Sequence, residues 1–160
     1  MGTTRITAEP GLPFIDIERE FDAPRGLLYR AFVEPELLME WLGPAKYATT
    51  VERMEVRHGG SWRFVQRGAD GAEHAFRGVF HGEPSVDGIT QTWEYEGWPG
   101  YVSLERVTFE EREGRTTVRA HTAYQSVEDR DAMIASGMEG GVNEGYARLD
   151  ELLAELSEAG

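Results

Sequence analysis

The sequence predicts an α+β protein in which a curved antiparallel sheet wraps around one long helix near the C-terminal end. Three observations support this prediction. Between residues 49 and 124, short runs of alternating apolar and polar residues are separated by glycine-containing turns, which is typical of an antiparallel meander. Residues 137–156 instead repeat their apolar side chains at helical spacing. One further strand and two short helices precede the meander, so the sheet and the long helix must cover each other.

The long helix predicted over residues 137–156 carries one continuous apolar stripe. Its members recur at alternating steps of four and three residues and are Val142, Tyr146, Leu149, Leu153 and Leu156, with Leu152 beside them. The residues predicted to face mostly away are Glu144, Arg148, Asp150, Glu151 and Glu155. Burying the stripe contributes at most roughly 7–15 kcal/mol. Because an isolated helix of this length is marginal in water, we expect the sheet to receive the stripe.

The segment before the meander supplies one strand and two short helices. Residues 13–21 alternate apolar with acidic side chains, as a half-buried strand does. Asp22 and Pro24 then predict a helix start, with Asp22 as the capping carboxylate. Pro35 ends this helix and opens a second one over residues 35–41. Both helices are too short to be stable alone, so we expect them to close one end of the sheet.

The meander contains the remaining strands. They are predicted over residues 51–56, 61–65, 75–81, 89–95, 102–110 and 116–124. Asp70-Gly71 is a strong hairpin signal, and Ser126 predicts the start of a short helix that ends at about residue 136. A twisted sheet curled around a single helix does not close perfectly. We therefore expect a cavity between the sheet and the N-terminal half of the long helix.

Composition narrows the classes of function. A length of 160 residues suits one domain, and the absence of cysteine excludes disulfides and thiolate chemistry. The formal net charge of −13 disfavours nucleic acid and anionic membranes, because both are polyanions. No segment has the apolar length of a signal peptide or a membrane span, so we predict a cytoplasmic protein.

Several sequence blocks, in order along nearly the whole chain, resemble the activator-of-heat-shock-protein-90-ATPase homologue group of the SRPBCC (START-like, birch-pollen-allergen-like) superfamily. The blocks are residues 21–24, residues 35–38 with 40–41 and 43–44, residues 56–64, residues 70–71 with 76–78, residues 107–111 with 114–118, and residues 137–141 with 148–153. Where the family often has Asp and Pro in an Asp-x-Arg-Pro-Gly-Gly block, this chain has Glu55 and His58. The resemblance implies a helix-grip fold as a single domain over residues 1–160, with residues 1–12 as a flexible tail. It implies no single activity, because the superfamily includes lipid carriers, hormone receptors, cyclases and ring-hydroxylase subunits.

An excess of aromatic residues predicts that the cavity is lined by flat apolar rings and suits a lipid-like or aromatic ligand. The predicted ligand-binding residues are Trp41, Trp62, Phe64, Trp93, Tyr95, Glu105, Val107, Met138, Val142 and Tyr146. Trp98 belongs to the same aromatic excess. Ordinary core packing is the alternative interpretation for each ring. Residues 97–100 and 137–145, both rich in glycine, are candidate gates.

Glu105 is the acidic residue predicted to reach the cavity. It shares a strand face with Ser103, Val107 and Phe109. A carboxylate at the mouth of an apolar cavity has a raised pKa and can act as an acid, a base or a ligand anchor. The alternative is that Glu105 pairs with an arginine such as Arg77, or lies at the solvent-exposed rim.

Sequence motifs for metal, phosphate and nucleophilic chemistry are absent. The histidines show no spacing typical of metal ligands, and His74, His81 and His121 are predicted to face solvent. The glycines between residues 137 and 145 lack the order of a phosphate loop, and there is no Gly-x-Ser-x-Gly elbow. We therefore predict no catalytic residues, no metal and no cofactor.

The favoured function is binding of a small hydrophobic or aromatic ligand in the cavity between the sheet and the long helix. Two alternatives stay open: an enzyme that acts on such a ligand with Glu105 as acid or base, and a chaperone-related protein-interaction module. The predicted partner is a small apolar ligand rather than nucleic acid or membrane, and a homodimer is a further open alternative.

Overall fold

The protein is an antiparallel sheet with four helices, and the computed structural model describes residues 3–159 of it. The strands are β1 (Arg5–Thr7), β2 (Phe14–Phe21), β3 (Tyr47–Met54), β4 (Ser61–Gly68), β5 (Glu73–Val79), β6 (Ile89–Tyr95), β7 (Val102–Arg112) and β8 (Arg115–Ala123). The helices are α1 (Arg25–Val33), α2 (Pro35–Trp41), α3 (Val127–Ala135) and α4 (Met138–Ala159). The strand order across the sheet is β1-β2-β8-β7-β6-β5-β4-β3.

This architecture confirms the predicted α+β class and helix-grip fold. The short helices α1 and α2 follow β2 directly, and α4 is the long C-terminal helix. The structure differs from the prediction at the N-terminus, where residues 5–7 of the predicted flexible tail form strand β1. This strand pairs with β2, so that Ile6 lies opposite Ile17. Residues 1 and 2 of the predicted tail lie outside the described residues.

The predicted capping role of Asp22 is wrong. The N-cap residue of α1 is Pro24, and its side chain makes no capping hydrogen bond. Instead Glu111 of β7 accepts a hydrogen bond from the backbone N–H of Arg25 at 3.0 Å. A carboxylate from a distant strand therefore satisfies a free N–H of this helix end. The cap predicted for α3 is confirmed, because the Ser126 Oγ accepts a hydrogen bond from the Asp129 N–H at 3.0 Å.

The apolar stripe of α4 packs into the core as predicted. Leu149 and Leu153 are at most 2 % exposed, and Tyr146 packs edge-on against Phe21 with ring centroids 5.2 Å apart. Gly145 lies where α4 crosses α2, and a Cβ atom there would be 2.8 Å from the Trp41 carbonyl oxygen. The two helices approach closely because this position has no side chain.

Two residues predicted to face away from the core, Arg148 and Asp150, instead bind neighbouring elements. The Asp150 carboxylate accepts hydrogen bonds at 2.7 and 2.6 Å from the guanidinium of Arg19, a buried residue of β2. Arg148 donates to the backbone carbonyl of Gly43. Polar contacts on both sides of the stripe therefore fix α4 to β2 and to the segment after α2.

Across residues 3–159, no helix combines the length and the apolar character that crossing a bilayer requires.

Candidate functional site

The inner face of the sheet, which faces α4, is covered at one end and partly exposed at the other. On β6, Ile89 is 2 % exposed, whereas Trp93 on the same face is only half-buried. On β7, Val107 is 1 % exposed and Glu105 is half-buried. Alternate residues of a strand point to the same face, so this change in burial means that the helices leave one end of the inner face uncovered. We call this region the inner groove, and its residues are Phe76, Gln91, Trp93, Tyr95, Ser103 and Glu105.

The predicted ligand-binding residues fall into two groups. Those buried in the core, at most 7 % exposed, are Trp41, Trp62, Phe64, Val107 and Tyr146. Those that are half-buried are Trp93, Tyr95, Glu105, Met138 and Val142. Trp98 stands apart from both groups, because it is 61 % exposed and packs against Tyr101 with ring centroids 5.4 Å apart.

Aromatic rings form the floor of the inner groove. Trp93 lies edge-on to the buried Trp62, with ring centroids 4.6 Å apart. Phe76 is stacked on the buried Phe64 at 5.0 Å and contacts Tyr95 at 5.2 Å. The solvent-accessible rings of Trp93 and Phe76 thus pack on the buried rings of Trp62 and Phe64. Such a floor offers flat apolar surface in a fixed position.

Glu105 places a carboxylate in this aromatic surface. Its Oε1 atom accepts hydrogen bonds from Gln91 Nε2 at 2.9 Å and from Trp93 Nε1 at 3.0 Å. The alternative pairing with Arg77 does not occur, because Arg77 binds Glu94 at 3.0 Å. Protein atoms surround the Glu105 side chain although some of its surface stays accessible, as expected for a residue that lines a groove. Burial raises the pKa of Glu105, and the two hydrogen bonds oppose this effect.

Two tyrosines lie within the range of the Glu105 charge. Burial, followed by the negative charge of Glu105, raises the pKa of Tyr124 to about 12. The same two causes raise the pKa of Tyr146, in that order of size, while nearby Arg19 lowers it slightly. Both phenols are therefore protonated near neutral pH and can donate or accept hydrogen bonds beside the carboxylate.

A second polar cluster, which sequence reasoning missed, surrounds His74. Its Nδ1 atom is 2.7 Å from the Tyr95 hydroxyl, and its Nε2 atom is 3.4 Å from the Tyr47 hydroxyl. The prediction that His74 faces solvent is wrong, whereas His81 and His121 are exposed as predicted. The sequence did hold a signal, because His74 is two residues from Phe76 and so shares its face of β5. Within the described residues, no three His, Asp or Glu side chains converge as metal ligands would.

Two concave regions lie on the opposite, outer face of the sheet. One has a volume of about 570 Å³, is lined in part by Thr92, Leu104 and Gln125, and extends to Ser103 and Tyr124. The other has a volume of about 410 Å³ and is lined largely by charged residues such as Arg106 and Arg119. Both are open to solvent, and neither contains any of the predicted ligand-binding residues. The half-buried aromatic rings and the carboxylate of Glu105 therefore favour the inner groove as the candidate site.

The raised pKa of Glu105 predicts an unusual pH dependence of stability for the Glu105→Gln variant. The folded protein keeps this proton to a higher pH than the unfolded chain does. The stabilisation from Glu105 is therefore complete below the ordinary carboxyl pKa and is lost as the pH rises through the folded-state value. We expect Glu105→Gln, which cannot ionise, to gain stability relative to the wild-type protein over this range. Urea unfolding measured from acidic to neutral pH provides the test.

Glu110→Gln is the matched control for this prediction. A hydrogen bond from Arg119 lowers the pKa of Glu110, so this variant should lose stability relative to the wild-type protein as the pH rises. The change should be small, because the Glu110 side chain is 66 % exposed. Equal pH profiles for the two variants would contradict the burial of Glu105.

Comparisons with known proteins agree with the fold. The sequence model of the family described as Activator of Hsp90 ATPase homolog 1-like protein matches residues 22–154. A crystal structure of a Rhodobacter sphaeroides protein has a TM-score of 0.85 at 28 % sequence identity, covering 94 % of this chain and 99 % of that one. A solution structure of an Arthrobacter aurescens protein has a TM-score of 0.86 at 25 % identity, covering 94 % and 91 %. No curated protein matches the chain.

A third structure, from Mycobacterium smegmatis, supports the fold alone. It has a TM-score of 0.85 at 22 % sequence identity, covering 96 % of this chain and 97 % of that one.

Proposed function

The chain belongs to the family of Activator of Hsp90 ATPase homolog 1-like proteins, and from that premise we propose that it binds a small hydrophobic or aromatic ligand in the inner groove. One observation carries the proposal. Trp93 points to the same face of β6 as the fully buried Ile89, yet Trp93 is only half-buried. The inner face of the sheet therefore carries apolar side chains that the helices do not cover. Apolar surface that stays accessible to solvent on the inner face of the sheet is surface that a ligand can cover.

The shape of the groove favours a flat ligand. Trp93 and Phe76 are fixed by ring contacts with buried neighbours, so little side-chain entropy is lost when a ligand packs on them. Covering apolar area contributes roughly 25 cal/mol per Å² before the costs of association. Met138 and Val142, at the N-terminal end of α4, are half-buried, and Val142 packs against the core. An aromatic or fused-ring compound meets these conditions.

Filling the groove should abolish binding. Ser103 lies on the inner face opposite Trp93, and Ser103→Phe places a new ring over the floor. We expect the affinity for an uncharged fluorescent apolar probe such as Nile red to fall at least about tenfold, which corresponds to the loss of one well-packed apolar contact. Fluorescence titration of the purified protein measures this change.

Leu104→Phe is the control for the filling variant. Leu104 is the next residue of the same strand, faces the opposite side and is 48 % exposed. This variant should bind the probe as the wild-type protein does. Equal affinity in wild type, Ser103→Phe and Leu104→Phe would show that the probe binds elsewhere and would refute the proposal.

A second candidate function, acid–base catalysis on the bound ligand, is favoured by Glu105. A carboxyl group whose pKa is raised by burial exchanges a proton closer to neutral pH than an exposed one. If a bound compound is turned over, the pH–rate profile should show one ionisation that disappears in Glu105→Gln. A ligand that stays unchanged during prolonged incubation leaves binding as the function.

A further inference from the structure

We propose that the ligand of the inner groove carries a protonated amino group that pairs with the carboxylate of Glu105. This inference rests on the proposed ligand-binding function and adds the chemical class of the ligand, an aromatic or alkyl amine.

Glu105 has no cationic partner among the described residues, whereas the two most buried arginines, Arg19 and Arg130, each pair with an aspartate. Arg19 pairs with Asp150 at 2.6 Å, and Arg130 pairs with Asp131 at 2.8 Å. No Lys, Arg or His side chain of residues 3–159 contributes to the pKa of Glu105 or forms an ion pair with it. Buried charges in proteins are normally paired, because desolvation of a lone charge is unfavourable. A ligand that brings a cation completes this arrangement.

The hydrogen bonds of Glu105 leave one oxygen atom for a ligand. Both donors, Gln91 Nε2 and Trp93 Nε1, bind Oε1. Neither Gln91 nor Trp93 contacts Oε2 within hydrogen-bond distance. The two N–H donors on one carboxyl oxygen stabilise the ionised form and so oppose the larger effect of burial, which raises the pKa of Glu105. A carboxylate prepared in this way accepts a hydrogen bond from an ammonium group more strongly than from a neutral donor.

The rings near Glu105 suit a cation as well. Trp93 donates its indole N–H to the carboxylate, and the half-buried Tyr124 lies within the range of its charge. The faces of such rings attract ammonium groups, most strongly where water is excluded. The net charge of −13 also raises the local concentration of cationic ligands and lowers that of anionic ones. A ligand carboxylate at this position would meet a like charge.

The test compares three indole compounds that differ only in the end group of the side chain: tryptamine, tryptophol and indole-3-propionate. Calorimetric titration at neutral pH and low salt gives the three dissociation constants. We expect tryptamine to bind roughly ten to a hundred times more tightly than tryptophol, as for a hydrogen bond to a charged group, and indole-3-propionate to bind most weakly.

Two glutamate-to-glutamine variants test whether Glu105 causes the preference for tryptamine over tryptophol. Glu105→Gln keeps the size of the side chain and an oxygen for Gln91 and Trp93, but it removes the charge. It should bind tryptamine and tryptophol alike. Glu151→Gln makes the same change at an exposed position of α4 and should keep the preference for tryptamine. A preference that persists in Glu105→Gln overturns the inference.

A second measurement needs no variant. Lowering the pH protonates Glu105 in the wild-type protein, so the preference for tryptamine over tryptophol should disappear. The two tyrosines that lie within the range of the Glu105 charge, Tyr124 and Tyr146, have raised pKa values and stay protonated throughout this range. A preference that does not change with pH overturns the inference.

The outcomes also separate this inference from the proposed function. If the apolar probe binds but tryptamine shows no preference over tryptophol, or none of the indoles binds, the inference fails and the proposed function stands. If Ser103→Phe weakens the binding of neither the probe nor the indoles, or if none of these compounds binds, the proposed function fails. The inference then fails with it.

Discussion

Replacing Leu149 or Leu153 by alanine should lower the free energy of unfolding by roughly 2–5 kcal/mol for each substitution. Leu149 is 0 % exposed and Leu153 is 2 % exposed, so each truncation removes contacts on all sides and leaves a cavity. The surrounding core is built from elements far apart in sequence and can relax only in part. Urea unfolding followed by circular dichroism measures the loss.

The control for the leucine variants is Glu151→Ala on the same helix. Glu151 is exposed and lies between the two leucines, so its removal should change the free energy of unfolding by about 0.5 kcal/mol or less. If all three variants lost a small and equal amount, α4 would not pack through the stripe described above.

Asp150→Ala should lower the free energy of unfolding by about 3 kcal/mol, the low end of the cost of breaking a buried ion pair. The loss arises because the Arg19 guanidinium, with a side chain 7 % exposed, keeps its charge without its carboxylate partner. The value lies at the low end because Asp150 itself is 28 % exposed and is partly solvated. Thermal and urea unfolding measure the change.

A double variant separates the charge from the packing. Arg19→Met with Asp150→Leu replaces both partners by apolar groups and should recover most of the lost stability. Glu73→Ala, which breaks the exposed pair between Arg67 and Glu73, is the control and should cost about 1 kcal/mol or less. If Asp150→Ala costs no more than Glu73→Ala, the buried pair does not hold α4 against β2.

The fold could be predicted because its signals are local. The spacing of Tyr146, Leu149 and Leu153 defines one helix face wherever that helix lies. The strand over residues 89–95 was predicted with the bounds that the structure shows. The cap of α1 could not be predicted, because Glu111 is 86 residues from Arg25 in sequence and only the folded sheet brings the two together.

The candidate site was predicted less completely, for a geometric reason. Alternation along β6 and β7 identifies which side chains face inward, and this placed Trp93 and Glu105 on the inner face. How far each side chain is covered depends on the distance between α4 and the sheet, which no local pattern encodes. The same alternation pointed both to the buried Trp62 and to the half-buried Trp93. The partners of Glu105 follow from strand register, since Gln91 lies directly opposite it.

The hydrogen bond between the Trp93 indole and Glu105 gives the inner groove its own optical reporter. Indole emission responds to nearby charge and to solvent, and Trp93 is the tryptophan that touches the carboxylate. Trp62 is enclosed in the core, Trp41 donates to the Ala31 carbonyl at 2.9 Å, and Trp98 is exposed in a loop. Trp98→Phe therefore removes the solvent-exposed background signal. Occupation of the groove can then be followed by a change in intrinsic fluorescence, without a label.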